Sequence, residues 1–89
     1  MRTYLIGYDL NKPGQNYENL IAAIKKFGTW WHGLDSTWLV KSSSSAAQIR
    51  DSLHPHMDAS DELMVLEISG SAAWVGFNEE CSSWLKNNL

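Results

Sequence analysis

The sequence Thr-Tyr-Leu-Ile-Gly-Tyr-Asp-Leu, at residues 3–10, decides how the rest of the chain folds. It is rich in aromatic and β-branched residues and runs into the turn-forming cluster Asn-Lys-Pro-Gly, so it predicts a β-strand. Alternate side chains of a strand point to opposite faces, and both faces of this strand are mainly apolar. Such a pattern is typical of the centre of a sheet, and we therefore expect residues 3–10 to form a central strand.

A helix is predicted directly after this strand and its turn. Apolar residues recur at helical spacing from Tyr17 to Phe27, and Gly28 is a good helix stop. Asn16 stands just before the first apolar residue, where a side-chain oxygen commonly caps a helix. We therefore expect a helix that is capped by Asn16 and ends before Gly28.

A β-hairpin is predicted next. Residues 29–34 and 37–42 contain tryptophans and β-branched residues, which favour strands. Only Asp35 and Ser36 lie between the two segments. So short a link joins strands that lie side by side and run antiparallel.

A second helix follows the hairpin. The serine run at residues 42–45 reads as a loop that ends in a helix cap. Apolar residues then recur at helical spacing from Ala46 to Met57. Pro55 disfavours helical geometry in the residue before it, so this helix either stops near Leu53 or kinks there.

The remaining segments complete the order of elements. Residues 62–69 alternate as a fourth strand, residues 72–75 can form a short fifth strand, and Asn78 caps a C-terminal helix. The order β-α-β-β-α-β is that of a ferredoxin-like α+β fold, in which two helices cover one face of a four-stranded antiparallel sheet. A chain of 89 residues has room for one domain, which we place over residues 1–89.

The second face of this sheet also needs a cover. It would carry apolar and aromatic residues, among them some of the five tryptophans. A large exposed apolar patch normally marks a binding surface. We therefore expect that a second copy of the chain, the C-terminal helix, or both cover this face.

Composition limits the classes of partner and compartment. The chain has 7 basic and 10 acidic residues, a net charge of −3, which does not favour a nucleic-acid-binding surface. Any phosphate contact would come from a few local residues or from a metal ion. The single cysteine, Cys81, fits a reducing compartment. Because no apolar run is long enough to span a bilayer, we predict a cytoplasmic protein without membrane contact.

Asp9 is the first candidate for chemistry, because it ends the predicted central strand directly after Tyr8. A carboxylate can bind Mg²⁺ or Mn²⁺, and such an ion can activate water and neutralise charge on a phosphodiester. One carboxylate is too few for a tight site, but a two-fold homodimer would bring two copies of Asp9 together. The alternative is that Asp9 begins the turn and accepts hydrogen bonds from nearby amides.

Other polar residues have both a functional and a structural interpretation. Lys12 could contact a phosphate as a point charge, or it could be a solvated loop lysine. Ser36 could hydrogen-bond a phosphate, or it could serve the hairpin turn. His32 could carry protons or pack against the tryptophans. His54 and His56 could ligate a metal, but no third ligand is fixed by spacing.

Residues 3–10 resemble the first strand of the small CRISPR-associated endonuclease superfamily, the companion of the CRISPR integrase, and of its VapD-type relatives. That strand ends in an aromatic–Asp pair, which Tyr8 and Asp9 match, and the superfamily has short chains with a ferredoxin-like fold. The remainder of the chain, at residues 11–17 and 36–40, is most similar to the SinR-like branch. The resemblance covers the whole chain in topology but only a short stretch in detail.

This resemblance implies a homodimer in which two Asp9 carboxylates face each other across the interface. The implied activity is metal-dependent cleavage of phosphodiester bonds in nucleic acid, with Asp9 as the ligand of Mg²⁺ or Mn²⁺. We expect Tyr8, Lys12 and Ser36 to orient the reacting groups or contact the phosphate. The resemblance also implies that residues 72–75 pair with the sheet of the partner.

Two features of the chain favour a different function. CRISPR-associated members usually display arginines to the nucleic-acid backbone, whereas this chain has only Arg2 and Arg50. The acidic charge and the many tryptophans favour a non-catalytic homodimer that serves as a scaffold or regulator. Binding of a small anionic ligand by the loop at residues 11–15 is a third hypothesis.

Overall fold

A computed structural model of the protein describes residues 1–12 and 17–89. Within those ranges, strands and helices follow one another in the predicted order. The elements are β1 (Arg2–Asp9), α1 (Glu18–Lys25), β2 (Trp30–Leu34), β3 (Thr37–Ser42), α2 (Ala46–Leu53), a short 3₁₀ helix (His54–His56), β4 (Glu62–Ile68) and α3 (Glu79–Asn88). None of the described helices has the length and hydrophobicity needed to cross a membrane.

The four strands form one antiparallel sheet in the order β2-β3-β1-β4. The predicted central strand is central: Tyr4 of β1 pairs with Val40 of β3 on one side and with Glu67 of β4 on the other. This strand order, together with the order of elements along the chain, confirms the ferredoxin-like α+β fold.

One face of the sheet packs against α1 and α2 and forms the main core. Its fully buried side chains alternate along the strands and recur at helical spacing along the helices, as the sequence pattern requires. They are Tyr4, Ile6, Trp38 and Val40 from the sheet and Leu20, Ile24, Ile49 and Leu53 from the helices. Burial of a large apolar side chain contributes about 1.5–3 kcal/mol, and this layer holds eight of the eleven buried apolar residues in the described part of the chain.

Local capping chemistry sets the bounds of α2. The Ser45 hydroxyl accepts a hydrogen bond from the Gln48 N–H, and the Gln48 side chain accepts one from the Ser45 N–H. This reciprocal pair is a capping box and confirms the predicted helix start. The helix ends at Leu53, the first of the two predicted outcomes, and the chain continues through Pro55 as a 3₁₀ turn. The expected effect of Pro55 on the residue before it is wrong, because His54 keeps right-handed helical angles, with φ −53° and ψ −40°.

Of the predicted caps of the other two helices, the structure confirms that of α3 and does not describe that of α1. The Asn78 side chain accepts a hydrogen bond of 2.8 Å from the Cys81 N–H at the start of α3, as predicted. Asn16, the predicted cap of α1, lies outside the described residues. The described part of that helix begins at Glu18.

The opposite face of the sheet is organised in rows of side chains that lie side by side across the strands. Residues directly paired on neighbouring strands project from the same face. The first row is Lys41, Thr3 and Ile68; the second is Trp31, Leu39, Leu5 and Leu66; the third is Leu34, Thr37, Gly7 and Met64; the fourth is Asp9 and Glu62.

Helix α3 covers one half of this face. Leu85 of α3 is buried with Trp31 and Leu39 of the second row, and Leu5 and Ile68 pack against them. The predicted cover by the C-terminal helix is therefore confirmed for this half, while cover by a second copy stays a prediction. The third and fourth rows, which we call the open half of the sheet, include Leu34 and Met64, 51% and 53% exposed.

Residues 72–75 do not form the expected fifth strand in the sheet of this chain. The segment instead lies beside α3: Trp74 packs against the same apolar cluster, and its indole N–H donates to the Ser82 hydroxyl at 3.2 Å. Packing of the large indole ring thus decides the position of the segment. Pairing of these residues with the sheet of a partner stays a prediction.

Replacement of Gly33 by Ala should destabilise the protein. Gly33 lies in a bulge of β2, where a Cβ atom would overlap the buried ring of Trp31. Because that ring is held between the sheet and Leu85, we expect a loss of about 1–3 kcal/mol, typical of an overpacked core. Thermal unfolding should show a midpoint lower by roughly 5 °C or more.

Gly7→Ala is the matched control, because a Cβ there meets only an ordinary contact of 3.5 Å with Leu5. Its midpoint should stay near that of the parent protein. Equal midpoints for the Gly33→Ala variant and the parent would contradict the described position of Trp31.

Candidate functional site

Two carboxylates lie opposite each other at one end of the sheet. Asp9 ends β1, Glu62 begins β4, and the two residues are direct partners in the antiparallel register. Their side chains therefore project from the same face, with Cβ atoms about 5 Å apart. Like charges in this arrangement repel, so the pair costs stability unless a cation lies between them. The sequence singled out Asp9 but missed Glu62.

The Asp9 carboxylate is not used by the turn that follows it. The backbone N–H of Asn11 donates to Asp61 at 2.7 Å, and the Asn11 side chain donates to the carbonyl oxygen of Asp9 at 3.4 Å. No hydrogen bond from the described residues reaches the Asp9 carboxylate. Asp61 thus plays the turn-forming role that the alternative interpretation gave to Asp9.

A shallow depression of about 540 Å³ surrounds this carboxylate pair. None of the described residues that line it is a lysine or arginine. They are Gly7, Tyr8, Asp9, Ser36, Thr37, Glu62, Leu63 and Met64. The structure therefore brings together three of the predicted site residues, Tyr8, Asp9 and Ser36.

The position of Ser36 follows from the pairing of the hairpin turn with β1. The carbonyl oxygen of Ser36 accepts a hydrogen bond of 3.1 Å from the Tyr8 N–H, so the turn is tied to the end of the central strand. Ser36 itself is exposed. Together with Thr37, it is one of the two residues through which the hairpin brings a hydroxyl group to the depression.

Tyr8 borders the depression, but its ring lies against the core under α1 and α2. Consecutive residues of a strand point to opposite faces, so the phenol and the Asp9 carboxylate are on different sides of the sheet. The phenol oxygen accepts a hydrogen bond of 3.0 Å from the Trp38 indole N–H. A role of this hydroxyl beside Asp9 would require that these contacts break.

Lys12 does not line the depression. Its ammonium lies 3.2 Å from a carboxylate oxygen of Asp58, in the turn that precedes β4. Both side chains are partly exposed, and such pairs contribute little to stability. A phosphate contact by Lys12 stays a prediction and would require the lysine to leave Asp58.

None of the three histidines lines the depression around Asp9. The His32 ring stacks on Trp38 with 3.7 Å between ring centroids, which agrees with the packing interpretation. His54 and His56 belong to the 3₁₀ turn, in which His54 is exposed and His56 is partly buried. Over residues 1–12 and 17–89, no group of three or more His, Cys, Asp or Glu side chains could hold a metal ion. Asp9 and Glu62 would need further ligands from water or from a second copy.

No protein-family model, curated protein or solved structure matches this chain. The relation to the CRISPR-associated endonuclease superfamily stays a prediction, which rests on the Tyr8–Asp9 pair.

A hydrogen-bond network centred on Asp61 fixes the loop next to the carboxylate pair. The Asp61 carboxylate accepts hydrogen bonds from the Asn11 N–H at 2.7 Å, the Tyr17 hydroxyl at 2.8 Å and the Asp58 N–H at 2.8 Å. These bonds tie the chain that leaves β1 and the start of α1 to the turn before β4. The network therefore holds Asp9 and Glu62 in register.

The hydrogen bonds of this network lower the pKa values of two carboxyl groups. Burial raises the pKa of Asp61, but the bonds from Asn11, Asp58 and Tyr17 together outweigh it, and the pKa falls below its ordinary value. Hydrogen bonds from Ser60, and then the contact with Lys12, lower the pKa of Asp58. Both groups therefore favour the charged form in the folded protein.

Stability should fall in acid because of these two carboxyl groups. A carboxyl group with a depressed folded pKa stabilises the fold above its unfolded pKa, and this contribution is lost as the pH falls through the folded value. We expect the thermal midpoint to decline as the pH falls below about 4. Asp61→Asn should lower the midpoint at pH 7 and flatten this decline; an unchanged slope would contradict the network.

Proposed function

We propose that the protein is a homodimeric phosphodiesterase that cleaves nucleic acid with the help of Mg²⁺ or Mn²⁺. The observation that carries the proposal is the exposed pair of Asp9 and Glu62, which are directly opposed across two strands. The Asp9 carboxylate accepts no hydrogen bond from the described residues, and the Glu62 carboxylate accepts a long one of 3.4 Å from the Asn11 side chain. Hard divalent cations prefer carboxylate oxygens as ligands. A repulsive pair that the fold retains at a strand end is typical of a functional site.

A second copy of the chain would complete the ligand set. The third row of the open half presents Leu34 and Met64 next to the carboxylates, and both are about half exposed. A two-fold contact through this surface would bury these apolar side chains and place the same patch of each copy against the other. Two copies each of Asp9 and Glu62 would then converge on the axis.

Each residue of the site would have a separate role in this reaction. Asp9 and Glu62 would hold the cation, which would neutralise charge on the phosphodiester and activate a water molecule. The Ser36 hydroxyl, at the rim of the depression, donates a hydrogen bond to a phosphate oxygen. Because no described basic side chain lines the depression, the phosphate depends on the cation for its positive partner. We place this activity in the cytoplasm, which the single cysteine fits.

A cleavage assay tests this proposal. The protein is incubated with single- and double-stranded DNA and RNA in Mg²⁺, in Mn²⁺ and in a chelator, and products are separated on gels. We expect cleavage of at least one substrate with a divalent cation and none with the chelator. Intact substrates under all conditions would contradict the nuclease.

A non-catalytic homodimer that acts as a scaffold or regulator is the second candidate. It is favoured by the engagement of Lys12 with Asp58 and of the Tyr8 hydroxyl with Trp38, which leaves neither group directed at a substrate. This candidate requires a dimer that forms equally well in a chelator. Sedimentation in the presence and absence of Mn²⁺ therefore distinguishes a self-sufficient dimer from one that the cation completes.

A further inference from the structure

The end of the sheet opposite Asp9 carries the opposite charge. Arg2 begins β1, and Lys41 lies beside it near the end of β3, where it pairs with Thr3. Helix α1 ends at this same end with Lys25 and Lys26, and the Lys25 ammonium lies 5.2 Å from the centre of the Trp30 ring. The overall charge of −3 therefore conceals a basic end and an acidic end, which composition alone does not reveal.

A cavity of about 410 Å³ opens at this basic end. Arg2 and Lys41 line one side of it, and Ile68 with the turn at residues 69–72 lines another. Its volume lies in the range of sites that bind small organic molecules. It is separated from the Asp9 depression by the eight residues of β1, about 23 Å of extended strand.

Lys41 is the residue of this cavity that most favours an anionic ligand. Its side chain is half-buried, and it forms no ion pair with any acidic group in the described part of the chain. A lysine that is only partly buried keeps its ammonium within reach of water, so this charge is not held by an acidic group of the protein. It is therefore available to an anion in the cavity.

The Arg2 side chain can reorient toward the same anion with little loss of stability. Its guanidinium lies 3.9 Å from the Glu67 carboxylate, and the two side chains are 60% and 52% exposed. An ion pair so long and so exposed contributes little to stability. A phosphate in the cavity would offer the guanidinium a closer partner with two oxygens in reach.

The rest of the lining includes the acidic Glu67, which pairs with Arg2, and Asn88, together with hydroxyl groups and apolar surface. The turn at residues 69–72 supplies the exposed Ser69 and Ser71, and Gly70 adopts a φ of +89° that a residue with a side chain rarely takes. Ile68 and Ala72 supply apolar wall. Such a lining fits a ligand that is charged at one end and apolar in its body, rather than a bare inorganic anion.

We propose that the cavity between Arg2, Lys41 and the turn at residues 69–72 binds a phosphate monoester with an attached organic ring, of the size of a nucleoside monophosphate. The phosphate lies between the Lys41 ammonium and the Arg2 guanidinium. The ring lies along the Ile68 side of the cavity. The site does not depend on the proposed nuclease, since no residue of the Asp9 depression takes part in it.

Calorimetric titration of the full chain tests this site, with adenosine monophosphate, adenosine and inorganic phosphate as probes. We expect saturable binding of the monophosphate with a Kd below about 1 mM. Adenosine and inorganic phosphate should each bind at least about tenfold more weakly, since each lacks one half of the contacts. Lys41→Gln should weaken monophosphate binding about tenfold, and Lys41→Met, which keeps the apolar stem, should do the same.

Two further variants complete the test. One should tighten monophosphate binding, and the other is a control that should not change it. Glu67→Gln removes the carboxylate that competes for Arg2 and should tighten monophosphate binding. Arg50→Gln removes an equal charge from α2, where Arg50 pairs with Asp51, and should leave binding unchanged. Thermal unfolding of each variant verifies that the fold is intact.

Four outcomes would overturn the proposal. They are the absence of saturable monophosphate binding, inorganic phosphate binding as tight as the monophosphate, equal weakening by Arg50→Gln and Lys41→Gln, and binding only of a single-stranded oligonucleotide. The last outcome, with affinity that falls steeply as salt rises, would assign the basic end to a nucleic-acid backbone instead.

Discussion

Asp9→Asn should reduce Mn²⁺-dependent cleavage of nucleic acid at least about 100-fold, because the amide lacks the negative charge that holds the cation and the ion supplies several kcal/mol of transition-state stabilisation. The fold should remain intact. Since Asp9 and Glu62 repel each other in the metal-free protein, the thermal midpoint of the variant should be equal to or higher than that of the parent. Initial rates of product formation and thermal unfolding measure the two effects.

Glu62→Gln should behave as Asp9→Asn does, although the sequence alone gave no reason to choose it. Asp35→Asn is the matched control: Asp35 lies in the hairpin turn at the same end of the sheet but does not line the depression. It should retain the parent rate. Cleavage by Asp9→Asn at the parent rate would show that the carboxylate pair is not the catalytic site.

Leu85→Ala should lower the free energy of unfolding by about 2–5 kcal/mol, the range for deletion of a buried leucine side chain. Leu85 is the one described residue of α3 that is buried, and it packs against Trp31 and Leu39 of the sheet. Loss of this contact would loosen α3 and expose the second row. Urea unfolding at equilibrium measures the change.

Lys86→Ala is the control for this prediction, since the neighbouring residue is exposed in the same helix. A surface substitution of this kind usually changes stability by less than about 0.5 kcal/mol. If Leu85→Ala were as mild as Lys86→Ala, α3 would not be packed on the sheet as described, and both halves of that face would be open.

The sequence predicted the elements that depend on local patterns. The aromatic and β-branched residues at positions 3–10 identified β1, the two-residue link at Asp35 and Ser36 identified the hairpin, and the serine run identified the Ser45 cap. Each of these rests on strand propensity, turn length or capping, which neighbouring residues determine. The order of elements then fixed the sheet topology.

The parts that the sequence missed depend on contacts between distant segments. Glu62 faces Asp9 only because of the register between β1 and β4, which no local pattern specifies. Residues 72–75 looked like a strand by composition, but Trp74 finds a better contact beside α3. The basic end at Arg2 and Lys41 likewise appears only when strands that are far apart in sequence are placed side by side.

A crystal of the protein soaked with Mn²⁺ tests the central claim most directly, because anomalous scattering locates the ion. We expect Mn²⁺ about 2.1 Å from carboxylate oxygens of Asp9 and Glu62, with Asp9 of a second copy across a two-fold axis. Crystals that lack a manganese peak at these carboxylates would contradict the account. So would a dimer in which the two Asp9 side chains point away from each other.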